Sequence, residues 1–123
     1  MTGPTPPGDH PPSALHRGDV AWADLPPSRG REQDGRRPVL VVASHGYLET
    51  VTHLVVILPV TTVDRGWPNH VRLRGRPGMD RPSWAMTEQV RTVARDRLAA
   101  PIGLVDDATL AEVDTYLRDA LGL

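Results

Sequence analysis

Two polar segments of the 123-residue sequence carry side chains that together can act on a phosphate. In the first, Ser28–Pro38, four arginines accompany one glutamate and one glutamine ahead of an apolar run. In the second, Pro59–Thr62, two threonines follow another apolar run. Arginine binds phosphate through parallel hydrogen bonds. A glutamate can accept a proton, and the hydroxyl group of threonine can donate a hydrogen bond. If both segments lie on one rim of a barrel, these groups form a site for phosphodiester cleavage. The alternative is that the first segment is a solvated turn whose arginines pair with Glu32 and Asp34.

Other common catalytic and metal-binding patterns are missing from the sequence. Cysteine and lysine do not occur, which excludes disulfides, thiolate metal sites and a lysine-containing phosphate loop. The five histidines show no HExxH spacing, and no G-x-S-x-G nucleophile turn is present. His45 and His70 are the two histidines that could form an acid–base pair for RNA cleavage, but a surface or capping role is favoured for each.

Charge is distributed unevenly along the chain, although the net charge is only -1. Residues 28–97 hold 12 arginines and 7 carboxylates, whereas residues 98–123 hold 1 arginine and 5 carboxylates. A basic middle section suits an anionic partner such as a nucleic acid, and the alternative is an arginine-rich composition with solvated side chains. No apolar run reaches the ~20 residues that cross a membrane, and no signal-peptide pattern opens the sequence, so a cytoplasmic protein is expected.

Short apolar segments between turn residues predict the strands that position these side chains. Alternating or continuous apolar residues predict strands at 18–25, 38–44, 53–60, around residues 71–73, and at 83–93. The first of these is expected to be half-buried, with Val20 and Trp22 on one side. Consecutive strands without intervening helices are typical of a small β-barrel, so the fold is predicted to be mainly β.

The two ends of the chain differ from this strand-rich middle. Apolar residues recur at helical spacing from Leu110 to Leu121 and predict an amphipathic C-terminal helix, with an N-cap at Asp106 or Asp107 and an end at Gly122. Residues 1–14 are rich in proline and glycine and are predicted to form a disordered tail, which leaves 15–123 as one domain.

Three blocks of the sequence carry motifs, and the motif of the first block is specific as a combination although each of its dipeptides is common. The first spans 18–42 and contains G-x-E-Q-x-G-x-R-P at 30–38, the second spans 58–68, and the third spans 83–93 and is followed by Arg97 and Leu98. Together with the closing helix, these blocks resemble the MazF/PemK family of toxin endoribonucleases over about residues 17–123. The resemblance implies an SH3-like β-barrel with a C-terminal helix that forms a homodimer, with RNA lying along a groove at the dimer interface.

The resemblance also implies an activity and the residues that carry it. Family members cleave single-stranded RNA without a metal or other cofactor and leave cyclic-phosphate and 5′-hydroxyl ends. The implied catalytic residues are Arg37, Thr61 and Glu32, and the implied RNA-binding residues are Arg31, Gln33, Thr62, Trp67 and Gln89. Because arginine stays protonated, Glu32 is the better general base, or else it orients Arg37. The recognised RNA sequence depends on loops at 45–52 and 64–69.

Two alternative functions remain open at this point. CcdB relatives share the fold and poison a DNA topoisomerase, but they lack the E-Q-x-G-x-R-P loop that is intact here. A catalytically inert relative would only bind an antitoxin. The resemblance implies a cognate MazE-like antitoxin whose disordered, acidic and apolar C-terminal segment competes with RNA for the groove.

Overall fold

The computed structural model describes residues 15–25 and 35–123, which form one curled antiparallel sheet with a helix at its C-terminal end. The strands are β1 (Asp19–Asp24), β2 (Arg36–Val41), β3 (Leu54–Thr61), β4 (His70–Arg72), β5 (Gly75–Arg76), β6 (Trp84–Met86), β7 (Arg91–Ala94) and β8 (Gly103–Val105). The helices are α1 (His45–Thr50) and α2 (Asp107–Leu121), and 3₁₀ turns span Thr87–Gln89 and Arg95–Arg97. The predicted mainly-β barrel with a C-terminal helix is confirmed as a half-barrel. The tail predicted at 1–14 lies outside the described residues.

The central strand β3 pairs with three other strands along its length. Its first half, residues 54–57, pairs with β7, residues 57–59 pair with β2 on the other side, and residues 60–61 pair with β6. At Pro59 the strand has left β7 and has not yet joined β6, so this residue has a pairing partner on one side only. A strand tolerates proline at such an edge-like position. β3 therefore runs through both parts of the sheet and ends at Thr61.

Apolar clusters cover both faces of the strands β1, β2 and β3. Alternate residues along these strands belong to different clusters: Ala21, Val39 and Ile57 to one, and Val20 and Leu58 to the other. The first cluster includes Leu48 of α1, and the second includes Val113 of α2. The prediction of a half-buried first strand is therefore wrong, because the α1-side cluster also buries Ala21 and Ala23. The continuous apolar runs in β2 and β3 are buried, as predicted.

The ends of α2 are confirmed at the predicted residues. Asp106 is the N-cap, and its carboxylate accepts a hydrogen bond from the Thr109 amide at 2.9 Å. Gly122 ends the helix with a φ of 71°, in the left-handed region that glycine adopts without steric conflict. In the described part of the chain, no helix is long and apolar enough to span a membrane.

Two segments differ from the sequence prediction. The segment 45–52, expected as a loop, contains α1, which Ser44 caps by accepting from the Tyr47 amide at 3.0 Å. The single strand predicted at 83–93 is two strands, β6 and β7, separated by a 3₁₀ turn. The turn is needed because β6 pairs with the end of β3, whereas β7 pairs with its beginning. Strands β5 and β8 were not predicted, because each is short and begins at a glycine, a residue that is depleted in strands.

Candidate active site

A groove of about 670 Å³ opens where β2, β3 and the β4–β6 part of the sheet meet. Among its described lining residues are four arginines (Arg36, Arg37, Arg65 and Arg91) and one carboxylate, Glu88. The remaining lining residues are aromatic, apolar or small polar, including Trp22, Trp67, Met79, Met86, Thr61, Thr62 and Gln89. A groove with positive charge and aromatic surface can hold both the phosphates and the bases of a single-stranded nucleic acid.

Arg37 and Thr61 lie on neighbouring strands at the edge of this groove. The β2–β3 ladder pairs Leu40 with Leu58 and Val39 with Pro59, and continuing that register by two residues places Arg37 opposite Thr61. The ladder itself ends at the Val39–Pro59 pair, and residues two apart along a strand project to the same face, so Arg37 and Thr61 both lie on the face of that last pair. The two residues therefore present a guanidinium and a hydroxyl to one side of the sheet.

The Thr61 hydroxyl is held by the backbone of the turn that follows it. Its Oγ1 accepts a hydrogen bond from the Val63 amide at 3.1 Å. A hydroxyl has one donor hydrogen and two acceptor lone pairs, so this contact uses a lone pair and leaves the hydrogen available. Thr61 can therefore donate to an oxygen of a ligand in the groove while its own position is fixed.

The groove is also reached by both ends of the segment 26–34. Leu25 and Gly35 line it, and the Leu25 amide donates to the Gly35 carbonyl at 2.8 Å. Gly35 has a φ of +73°, and a Cβ at this residue would lie 2.3 Å from the Leu25 carbonyl oxygen, so only glycine fits. The predicted site residues Arg31, Glu32 and Gln33 belong to the segment between these two ends and lie outside the described residues.

His70 forms the wall of the groove together with Glu88. Its Nε2 lies 3.1 Å and 3.0 Å from the two carboxylate oxygens of Glu88, and the Asn69 side-chain amide donates to the same carboxylate at 2.8 Å. The His70 ring also contacts the Trp67 ring, with centroids 4.7 Å apart. Because Nε2 faces a carboxylate, we assign the ring proton to that nitrogen. The His70–Glu88 contact thus ties the Trp67 loop to the 3₁₀ turn at Thr87–Gln89.

The pKa of Glu88 reflects this arrangement. Partial burial acts to raise it, but hydrogen bonds from His70, from its own backbone amide and from Gln89 together bring the pKa below its ordinary value of 4.5. A carboxylate with a lowered folded-state pKa stabilises the fold above its ordinary pKa. That stabilisation is lost as the pH falls through the folded-state value, so the His70–Glu88 contact is weakened in acid.

The structure brings together all the predicted site residues that it describes. Arg37, Thr61, Thr62, Trp67 and Gln89 all line the groove, and the Trp67 side chain is exposed. His45 does not reach it: this residue begins α1, and its exposed ring lies 3.7 Å from Glu49 on the same helix.

Sequence reasoning assigned no site role to several described residues of the groove, among them His70, Glu88 and Arg65. His70 is buried in its wall, so the surface or capping role favoured for it is wrong. Glu88 precedes the predicted Gln89 directly, and that adjacency is the one local signal of its place in the site. Arg65 was missed as well; its guanidinium lies 5.8 Å from the centre of the Trp67 ring.

Comparisons with known proteins agree with this fold. Residues 16–121 match the family described as PemK-like, MazF-like toxin of type II toxin-antitoxin system. The chain is 35% identical over 115 residues to endoribonuclease MazF9 of Mycobacterium tuberculosis, covering 89% of this chain and 98% of that protein. It is 38% identical over 111 residues to endoribonuclease EndoA of Bacillus subtilis, covering 89% and 96% respectively.

Solved structures give the same result. A crystal structure of MazF from Deinococcus radiodurans has a TM-score of 0.74 at 30% identity and covers 94% of this chain and 100% of its own. A MazE–MazF structure from the same organism also has a TM-score of 0.74 at 30% identity, covering 89% and 97%. On the family match, the identities and the shared fold, the chain belongs to the PemK-like, MazF-like toxins of type II toxin–antitoxin systems.

Proposed function

We propose that this toxin is an endoribonuclease that cleaves single-stranded RNA at a specific sequence without a metal ion. The observation that carries the proposal is the presence of Arg37 and Thr61 on facing strand ends of one basic groove. The relatives named endoribonuclease MazF9 and endoribonuclease EndoA support it. The products are a 2′,3′-cyclic phosphate and a free 5′-hydroxyl.

The reaction needs no nucleophile from the protein, because the 2′-hydroxyl of the RNA attacks the neighbouring phosphorus. The O2′–P bond forms and the P–O5′ bond breaks, while one proton leaves O2′ and another reaches O5′. Negative charge develops on the phosphate oxygens in the transition state. The guanidinium of Arg37 and the hydroxyl hydrogen of Thr61 stabilise that charge, which is the largest single contribution a fixed polar site makes to catalysis.

Glu32 completes the proposed catalytic set as the group that takes the O2′ proton or orients Arg37. Its carboxylate is the better base of the two, since an arginine side chain stays protonated. Arg31, Gln33, Thr62, Trp67 and Gln89 bind the RNA on either side of the cleaved bond. Trp67 is 49% exposed in the groove, where an aromatic ring can stack on a base.

The proposed partners are a second copy of the chain and a cognate antitoxin. The MazE–MazF structures from Deinococcus radiodurans support an antitoxin partner. Four arginines against one carboxylate among the described groove residues favour an acidic segment that occupies the same groove as RNA. The proposed location is the cytoplasm, where such a toxin would meet its RNA substrate.

The test is cleavage of a mixed-sequence single-stranded RNA in excess EDTA, with the cut ends mapped chemically. The wild-type protein is expected to cut at a short motif and to leave the ends stated above. Arg37→Ala is expected to lower the cleavage rate about 100-fold or more, because it removes the main phosphate-stabilising charge. Arg118→Ala is the matched control, since Arg118 is an exposed arginine on α2 that does not line the groove.

The outcomes separate the activity from the assignment of its residues. A folded Arg37→Ala protein that cuts as fast as Arg118→Ala would disprove the role of Arg37. If the wild-type protein cuts none of a diverse set of RNAs, the endoribonuclease proposal is wrong. Inhibition of a DNA topoisomerase or simple titration of an antitoxin would then be measured instead.

A further inference from the structure

The face of the sheet that carries Thr61 continues beyond the groove as a row of three side chains. Thr61 of β3 pairs with Trp84 of β6, and Trp84 pairs with Arg72 of β4. Residues directly opposite each other in antiparallel strands project to the same face. Thr61, Trp84 and Arg72 therefore lie side by side on one surface, in that order from the groove outward.

Burial of the neighbouring row confirms which face this is. Val60, Ala85 and Val71 pair across the same three strands one residue along, and all three are buried in the apolar cluster beneath. Because side chains alternate along a strand, the row containing Trp84 and Arg72 must point the opposite way. Met86 and His70, the next pair on that outer face, line the groove, so the surface is continuous with the candidate site.

The two outer residues of the row have the chemistry of a nucleic-acid contact. Arg72 is exposed, and its side chain has no ion-pair or hydrogen-bond partner within residues 15–25 and 35–123. Its neighbour Arg74 differs, since its guanidinium lies 3.3 Å from Glu112 of α2. Trp84 is only half-buried, which leaves part of a large aromatic side chain on the surface between Thr61 and Arg72. An aromatic ring beside an unpaired cation suits a stacked base and the phosphate next to it.

We propose that Trp84 and Arg72 form a second RNA-binding subsite, which holds a nucleotide outside the cleaved bond and extends the substrate beyond the groove. The subsite rests on the proposed endoribonuclease function for its ligand. Strand spacing of about 4.8 Å puts Arg72 roughly 10 Å from Thr61 across the sheet. This is the distance between the two backbones, and Trp84 lies between them. A base stacked on Trp84 would fill the space between the two side chains, and Arg72 then contacts a phosphate next to the one at which the chain is cut.

The first measurement is binding of 2′-O-methyl RNA, which lacks the free 2′-hydroxyl and stays intact, as a function of salt concentration. Arg72→Ala is expected to weaken binding about threefold to tenfold and to reduce the slope of log K against log salt by about 0.7, the value for one phosphate on a single strand. Arg74→Ala removes the same charge two residues away and is expected to leave the slope unchanged. Trp84→Leu keeps an apolar side chain and is expected to weaken binding about fivefold or more through lost stacking.

The second measurement compares RNAs that are shortened one nucleotide at a time from each end in the cleavage assay. For RNAs that keep the phosphates next to the cleaved one, KM is expected to rise in Arg72→Ala with kcat unchanged. RNAs that lack the phosphate bound by Arg72 are expected to be cut equally fast by Arg72→Ala and the wild-type protein. Molar mass by light scattering is measured for each variant.

Each result has one meaning for the proposal. If the wild-type protein cuts RNA but Arg72→Ala behaves like Arg74→Ala in both measurements, the subsite is disproved and the endoribonuclease function stands. If RNA binds through Arg72 but is never cut, the subsite stands and the proposed function fails. If RNA neither binds nor is cut, both are wrong. A change of molar mass in Arg72→Ala would place this residue between copies of the chain and would also overturn the subsite.

Discussion

At the scale of single residues, the candidate site combines side chains that are fixed by the backbone with side chains that are fixed by each other. Thr61 belongs to the first kind, since the Val63 amide holds its oxygen. His70 belongs to the second, because it is held by the Glu88 carboxylate on one side and the Trp67 ring on the other. We infer that His70 is a positioning residue that orients Trp67 towards the RNA.

This inference predicts the effect of His70→Gln. Glutamine can still donate to Glu88 but loses the ring contact with Trp67, which is worth ~0.5–1.5 kcal/mol. KM for RNA is therefore expected to rise about threefold to tenfold with little change in kcat, and the emission of Trp67 is expected to change. The control is His53→Gln, an exposed histidine outside the groove and outside segment 45–52, which is expected to leave both constants unchanged. A loss of kcat as large as that of Arg37→Ala would contradict a positioning role.

The residues that sequence could predict are those whose role follows from a local motif. Arg37 and Thr61 each lie in a short block with a recognisable pattern, and both line the groove. The His70–Glu88 contact joins residues that are 18 apart and depends on the pairing of β4 with β6. Such a contact arises from long-range strand register, and no pattern within either segment specifies it.

At the scale of elements, α1 is the clearest departure from the sequence prediction. It has six residues and only one buried side chain, Leu48, so it lacks the repeated apolar spacing by which a helix is predicted. Its C-terminal end is stabilised from elsewhere in the chain. The buried guanidinium of Arg95 donates to the carbonyl oxygens of Leu48, Val51 and Leu54. The helix therefore depends on an arginine more than 40 residues away.

Replacing Arg95 with methionine tests this dependence. The change keeps an apolar stem of similar length and leaves the three carbonyl groups without their donor. Each buried polar group without a partner costs about 1–3 kcal/mol, so the loss of three such contacts is expected to lower the free energy of unfolding by about 3 kcal/mol or more in a denaturant titration. Arg97→Met is the control, because Arg97 lies in the same 3₁₀ turn but is exposed and donates to one carbonyl oxygen, that of Asp24 at 3.0 Å. Equal stability of the two variants would show that α1 does not need Arg95.

At the scale of the whole molecule, composition and spacing were enough to predict the fold class. Continuous apolar runs predicted β2 and β3 because both faces of these strands are covered, and the helical spacing predicted α2 with both of its caps. The number of strands that pair with β3 could not be predicted. Because β6 pairs with the end of β3 and β7 with its beginning, the single strand expected at 83–93 is divided into two. Pairing depends on distant residues, whereas periodicity reports only local burial.

The sequence and the core together predict where the folded domain begins. The buried core of the described residues begins at Leu15, which is 3% exposed, and the sequence predicts a tail before it. Deletion of residues 1–14 is therefore expected to leave the free energy of unfolding unchanged within about 0.5 kcal/mol. Deletion of residues 1–17 also removes Leu15 and the ion pair of Arg17 with Asp114, and it is expected to destabilise the fold. A destabilising effect of the shorter deletion would show that residues 1–14 pack on the domain.

The hydrogen bond between Leu25 and Gly35 has a consequence for how this toxin can change over evolution. It joins the two ends of segment 26–34 at a point where β1 and β2 are already paired. The pairing of these strands therefore does not depend on which residues occupy the segment. The free-energy cost of closing a loop rises slowly with its length. Changes of length in this segment are therefore expected to leave the scaffold folded, provided that Gly35 is kept for the fold and Glu32 for the proposed reaction.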